Sequence, residues 1–221
     1  MRNERIEKTE KFLKGLFNES DYFKEHPDAM NYRLEHSYRV AHIGKEIAEA
    51  EGMDVERMIV ACLLHDVAYC LDFSKIKGGY KEHGRRGAAI ARPFLSELGY
   101  SEKEVEEVCY GIAIHVDDEA DFEGERTAFA LTIGDADNID RFDVFRIYEA
   151  LDNARFWNMT LEERNDYVGS RLEGLERCKK VNCATDTAEK MWQEKLSFQT
   201  EFFSRLKKQV ANSTWWSVHS K

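Results

Sequence analysis

The sequence predicts an all-α protein on three observations. Only two prolines, Pro27 and Pro93, interrupt its 221 residues. Long segments repeat apolar residues with the 3.6-residue period of a helix, and none alternates apolar and polar residues as a half-buried strand does. Helix-punctuating residues then fall where those segments start and stop, with Asp54, Ser101 and Thr127 as caps and Gly52 and Gly99 as terminators.

Residues 4–17 form an opening helix through Ile6, Phe12, Leu13, Leu16 and Phe17. The next, over 29–51, carries the stripe Tyr32, His36, Val40, Ile43 and Ile47, so His36 points where the aliphatic residues point, while His42 points away. Asp54 caps a third helix running to about Tyr69, whose Val55, Met58, Ile59, Cys62 and Leu63 lead directly to His65 and Asp66. Residues 73–84, "FSKIKGGYKEHG", read as a glycine-containing loop long enough to lie functionally over a site.

A fourth helix over 82–98 has the stripe His83, Gly87, Ile90 and Phe94. Ser101 and Glu104 make a capping box for a fifth, in which Val105, Val108, Ile112 and His115 are in register. Thr127 caps a sixth in which Ala130, Ile133 and Asp137 share a face, within "TIGDADNIDRF". Three further helices, at about 143–156, 160–179 and 185–208, are rich in aromatics and charges but lack such inward polar residues, and the tail "NSTWWSVHSK" reads as loosely ordered. With no repeat or linker in view, the expectation is one domain over 1–221: a site-bearing core at about 29–142 and a helical cover at about 143–210.

Composition narrows the functional classes. The formal net charge of −10 repels nucleic-acid backbones and anionic lipid, although a bound cation and local arginines can invert that sign inside a pocket. No apolar run approaches the ~18 residues that span a bilayer, and the charged start lacks a signal core, so the chain reads as soluble and cytoplasmic. Five cysteines, an odd number without a C-x-x-C, argue against a disulfide framework or a thiolate zinc site. Cys62, Cys70 and Cys109 sit in apolar helical surroundings and read as packing rather than as nucleophiles.

Taken singly, His36, His65, His83 and His115 each read as a satisfied core histidine. Together with Asp66 and Asp137 they are different, since burying so many titratable groups separately would cost several kcal/mol that one shared cation removes. His26 and His219 fall outside the pattern.

A histidine, a His–Asp pair and a distant aspartate, here His36, His65–Asp66 and Asp137, resemble the pattern of the HD-domain metal-dependent phosphohydrolases over residues 32–141. That resemblance implies an HD-like helical bundle with additional C-terminal helices and a metal held by His36, His65, Asp66 and Asp137. It also implies a supporting role for Asp135 in the D-x-D, and places for His83 and His115 as intermediate histidines. Where some members carry Glu or Lys after the pair, Tyr69 stands, which leaves the general base unassigned.

A mixed N/O donor set with open positions suits manganese, iron, cobalt, nickel or magnesium, one ion being preferred to two, and such an ion activates water against a phosphate ester. His83 and His115, with Asp66, are then catalytic, as ligands of a second ion or as groups that position substrate and move protons. Candidate phosphate contacts are Arg33, Lys81, Arg85, Arg86 and Arg141. The expected activity is hydrolysis of a phosphate ester or anhydride of a nucleotide or other small metabolite. The alternatives are a non-catalytic ligand-binding or regulatory domain that kept its metal, and a di-iron oxygenase on the same scaffold. Oligomeric state is left open.

Overall fold

Helix capping explains most of the observed element boundaries. The computed structural model describes residues 4–214, and among these it has ten α-helices and no strand. They are α1 (Glu4–Glu19), α2 (Asp21–Glu25), α3 (Pro27–Glu51), α4 (Val55–Leu64), α5 (His83–Glu97), α6 (Glu102–Ile114), α7 (Ala128–Arg141), α8 (Val144–Asn153), α9 (Leu161–Cys178) and α10 (Asp186–Ala211). Asp54 accepts from the Arg57 N–H, Ser101 and Glu104 close a capping box, and the Thr127 hydroxyl accepts from the Ala130 N–H. Gly52 ends α3 in the left-handed region, at φ 68°.

The chain forms two compact units. Among the described residues, the first holds 4–140 and takes back the segment Cys183–Ala188; the second holds Arg141–Asn182 and residues 189–214. The core of the first joins Leu13 and Phe17 of α1, Val40 of α3, Met58 and Leu63 of α4, Leu95 of α5, Ile112 of α6 and Ile133 of α7. Helices α5 and α6 approach so closely that a Cβ on Gly84 would lie 2.4 Å from the Ala113 carbonyl oxygen, a contact only glycine permits. Its returning segment is held by the Ala184 N–H donating to Asp135 Oδ2 (2.7 Å) and the Thr187 N–H donating to Glu51 Oε1 (2.9 Å). The second unit packs Ile147, Phe156, Val168, Leu175, Leu196 and Phe203.

Two expectations need correction, and two features went unread. The third helix stops at Leu64, and residues 67–70 wind as a 3-10 turn. The buried face of α5 is Gly84, Gly87, Ala88, Ala91 and Leu95; Ile90 and Phe94 lie on its flank, with Phe94 stacked 4.0 Å from Phe12. Small residues define that face because α6 comes so near, which a count of large apolar residues misses. The loop after the His–Asp pair contains two 3-10 turns, Phe73–Lys75 and Gly79–Glu82. The short α2, capped by Ser20, went unread because five residues carry no period. Residues 215–221 of the tail read as loosely ordered, with His219, lie outside the described residues.

Candidate metal centre

Five elements of the first unit bring six side chains together. His36 comes from the middle of α3 and Asp137 from α7, both on buried faces. His83 opens α5, and His115 follows the last residue of α6. His65 and Asp66 are adjacent, and adjacent side chains on an unbroken helix diverge by about 100°. They converge because α4 ends at Leu64 and Asp66 leaves helical geometry at φ −102°, ψ 14°.

One set of donor atoms is compact. His36 Nε2 lies 3.1 Å from Asp137 Oδ1, 3.3 Å from His65 Nε2 and 3.6 Å from Asp66 Oδ2. His65 Nε2 is 3.5 Å from Asp66 Oδ2 and 3.9 Å from Asp137 Oδ1. Ligands at about 2.1 Å from one cation sit roughly 3.0–3.4 Å apart, so modest tightening would suit a metal. A second set uses the other Asp66 oxygen: Oδ1 is 3.3 Å from His83 Nε2 and 3.7 Å from His115 Nε2, and those two nitrogens are 3.1 Å apart. Asp66 therefore faces one set with each oxygen.

The outer ring nitrogens decide what the inner ones can do. Nδ1 of His65 donates to the Cys62 carbonyl (2.7 Å), that of His115 to the Ile112 carbonyl (2.6 Å), and that of His83 to the Tyr80 carbonyl. His36 Nδ1 meets Asp140 Oδ2 at 2.7 Å, and Arg39 holds Asp140 in turn (Nε to Oδ1, 2.8 Å). Each Nδ1 is thus committed to a proton, which turns an Nε2 lone pair inward against other lone pairs and carboxylate oxygens. Acceptors facing acceptors in a buried site call for cations, so the residues fit a metal. His36, His65 and Asp137, and His65, Asp66 and His115, are both groups that could hold an ion.

Without an ion, protons take part of that role. Burial opposes charge on His36, but hydrogen bonds to Asp137 and Asp140 outweigh it and push its pKa up to about 9. Burial lowers His65 to about 4. For Asp66 and Asp137 the surrounding histidines, with Arg33 at Asp66, overcome burial and hold both carboxyls well below the usual range. Charge on His36 thus places a proton between Nε2 and Asp137, where a metal would have to displace it.

Of the predicted phosphate contacts, Arg33 reaches the cluster: its Nη1 donates to Asp66 Oδ2 at 2.6 Å. Arg85 is engaged instead by Glu82 and Asp117. Lys81 and Arg86 are exposed around the start of α5, and Arg141 is exposed at the end of α7. Asp135 turns to the Ala184 N–H rather than to the cluster, and the supporting carboxylate is Asp140. Sequence reasoning missed Asp140 and Arg39, although each lies three residues after a predicted ligand, Asp137 and His36, and so on the same helical face. Tyr69 follows Asp66 by one 3-10 turn and stacks against the Arg33 guanidinium, 3.5 Å from ring centroid to Cζ. Burial pushes the thiols of Cys70 and Cys109 up to about 11, in keeping with packing roles. No described helix is long and apolar enough to cross a membrane.

Residues 33–141 match the family model of the HD domain. The crystal structure of a predicted HD superfamily hydrolase from an uncultured Thermotogales bacterium is 22% identical, with a TM-score of 0.61 covering 92% of this chain and 91% of that one, a likeness of fold. Comparison with curated proteins gives no match.

Proposed function

With an HD domain at residues 33–141 as premise, we propose that the protein is a metal-dependent phosphohydrolase acting on a phosphate ester or anhydride of a small metabolite. The observation that carries this reading is the convergence of four histidine Nε2 atoms on Asp66 and Asp137. The comparison structure's description as an HD superfamily hydrolase supports the same class. His36, His65, Asp66 and Asp137 would hold one ion; His83, His115 and Asp66 Oδ1 support a second, where the sequence alone favoured one. A divalent ion there supplies an acidified water and polarises a phosphoryl oxygen.

The chain's own groups do the remaining work. Asp140 and the backbone carbonyls fix each imidazole so that Nε2 stays a donor to the centre. Arg33, planar and permanently charged, binds a phosphate oxygen at the edge of the cluster. With one ion bound, His83, which keeps 13% of its side-chain surface exposed against 1% for His115 and 0% for His65, is instead the histidine placed to pass a proton between substrate and solvent. The test is elemental analysis of the purified protein followed by a phosphate-release panel with manganese, run with and without oxygen. Metal-dependent release without oxygen is expected. Oxygen-dependent turnover, or no turnover with any metal, would overturn the reading.

A further inference from the structure

One arginine ties together the two helices that carry His83 and His115. Arg85 stands in the first turn of α5, just after His83, and each of its N–H donors has an acceptor. On the His83 side, Nε donates to Glu82 Oε2 (3.3 Å), and Nη2 to Glu82 Oε1 and the Lys81 carbonyl (3.1 Å each). On the His115 side, Nη1 donates to Asp117 Oδ1 (2.9 Å) and the Glu119 carbonyl (3.4 Å), and Nη2 to Asp117 Oδ2 (3.2 Å). The Arg85 side chain is 9% exposed, so this is not an ordinary surface ion pair.

None of these bonds reaches an imidazole. They grip the backbone that aims two of them. Lys81 and Glu82 belong to the 3-10 turn Gly79–Glu82, whose Tyr80 carbonyl accepts from His83 Nδ1. Asp117 and Glu119 lie just past His115, in the turn where the Asp118 N–H donates to the Ile114 carbonyl (2.9 Å). Between the two segments Gly84 meets the Ala113 carbonyl with no side chain in the way.

We infer that Arg85 is a positioning residue for the His83–His115 pair: it holds the turn before α5 against the turn after α6, and so sets the 3.1 Å spacing of the two Nε2 atoms. The inference rests on the metal-centre reading and deepens it, because that pair with Asp66 Oδ1 is the second donor set. Gly84 permits the approach of the helices at one point, and Arg85, the next residue, fixes its direction. Lysine would supply the charge without the geometry, since an ammonium is a point donor and cannot reach two carboxylates and two carbonyls as the guanidinium fork does. The other donor set is independent of this tie: His36, His65 and Asp137 come from α3, the end of α4 and α7, and the partners of Arg85 lie on none of them. Arg85 therefore acts on one set alone.

Two readouts test this without turnover. Nuclear magnetic resonance of the histidine rings in the apo protein follows the imidazoles, and calorimetric titration with manganese follows the ions. Both are run on wild type, Arg85→Lys, Asp117→Asn and the double variant, with His83→Ala marking which ion belongs to the second set. The expected result is displaced His83 and His115 resonances with those of His36 and His65 unmoved, and a second-set affinity about 10- to 100-fold weaker in each single variant. The double variant should be little weaker than either, because both substitutions break the same tie. Unmoved resonances with wild-type affinities would overturn the positioning role and leave the metal reading standing. Equal displacement of all four histidines, or equal weakening of both ions, would also overturn it and reduce Arg85 to a general contact of the fold. Displacement confined to His83 and His115 would uphold the role where manganese fills the first set alone. The same displacement in a protein that takes up no manganese would uphold it while removing the metal-centre reading.

Discussion

His36 makes metal uptake a proton exchange. Its pKa of about 9 arises from hydrogen bonds to Asp137 and Asp140, and the Nε2 proton occupies the position a metal needs. At pH 7, two units below that value, about 99 in 100 apo molecules hold the proton, which weakens metal binding ~100-fold, or about 2.7 kcal/mol. The other donors of that set add nothing near neutrality: His65, at about 4, is already neutral, and Asp66 and Asp137 are already ionised. Affinity for manganese at this set should therefore rise about tenfold per pH unit between roughly pH 6.5 and 8.5, then level near 9. Titration calorimetry at pH 7 in two buffers of different protonation enthalpy should show about one proton released per ion bound there. A flat affinity across that range with no proton release would refute the assignment of His36 as both protonated and a ligand.

Asp66→Ala should abolish metal uptake by elemental analysis and lower apo stability by roughly 2–3 kcal/mol in urea unfolding, since it strips Arg33 of its partner at 2.6 Å. Asp140→Asn should weaken metal affinity about 10- to 100-fold, seen by competition with a chelating dye, while the far-ultraviolet dichroism stays helical. The apo protein should lose stability in alkali. A folded pKa raised above the unfolded 6.5 gives stability that is complete below pH 6.5 and disappears as pH rises through about 9, worth at most ~3 kcal/mol, and thermal melts across that window check it. Gly84→Ala should destabilise by about 1–3 kcal/mol in the same melts, because its Cβ would press on the Ala113 carbonyl oxygen, and a wild-type melting temperature would argue that α5 and α6 are less close.

The all-helical fold was legible because period, caps and terminating glycines agree, from Asp54 through the Ser101–Glu104 box to Gly52. The structure brings His36, His65, Asp66, His83, His115 and Asp137 together; inward helical faces account for His36 and Asp137, whereas His65 and Asp66 converge only because α4 ends at Leu64. What could not be read were features set by approach in space. Helix α5 buries a small-residue face that no hydrophobic count selects, and Arg85 is drawn to Asp117, thirty-two residues on. Asp140 rather than Asp135 supports His36 because Asp140 lies one helical turn from Asp137, whereas Asp135 projects toward Ala184.

The return of residues 183–188 to the first unit sets an order of events during synthesis. Residues 141–182 are an excursion whose two ends belong to one body, so Glu51 and Asp135 wait for their backbone partners until the chain beyond residue 182 has left the ribosome. A chain ending at residue 142 would contain all six residues of the metal centre yet lack the strap whose backbone reaches Glu51 of α3 and Asp135 of α7. Closing a 42-residue excursion adds only a logarithmic entropy cost, so shortening it is predicted to matter less than breaking the strap.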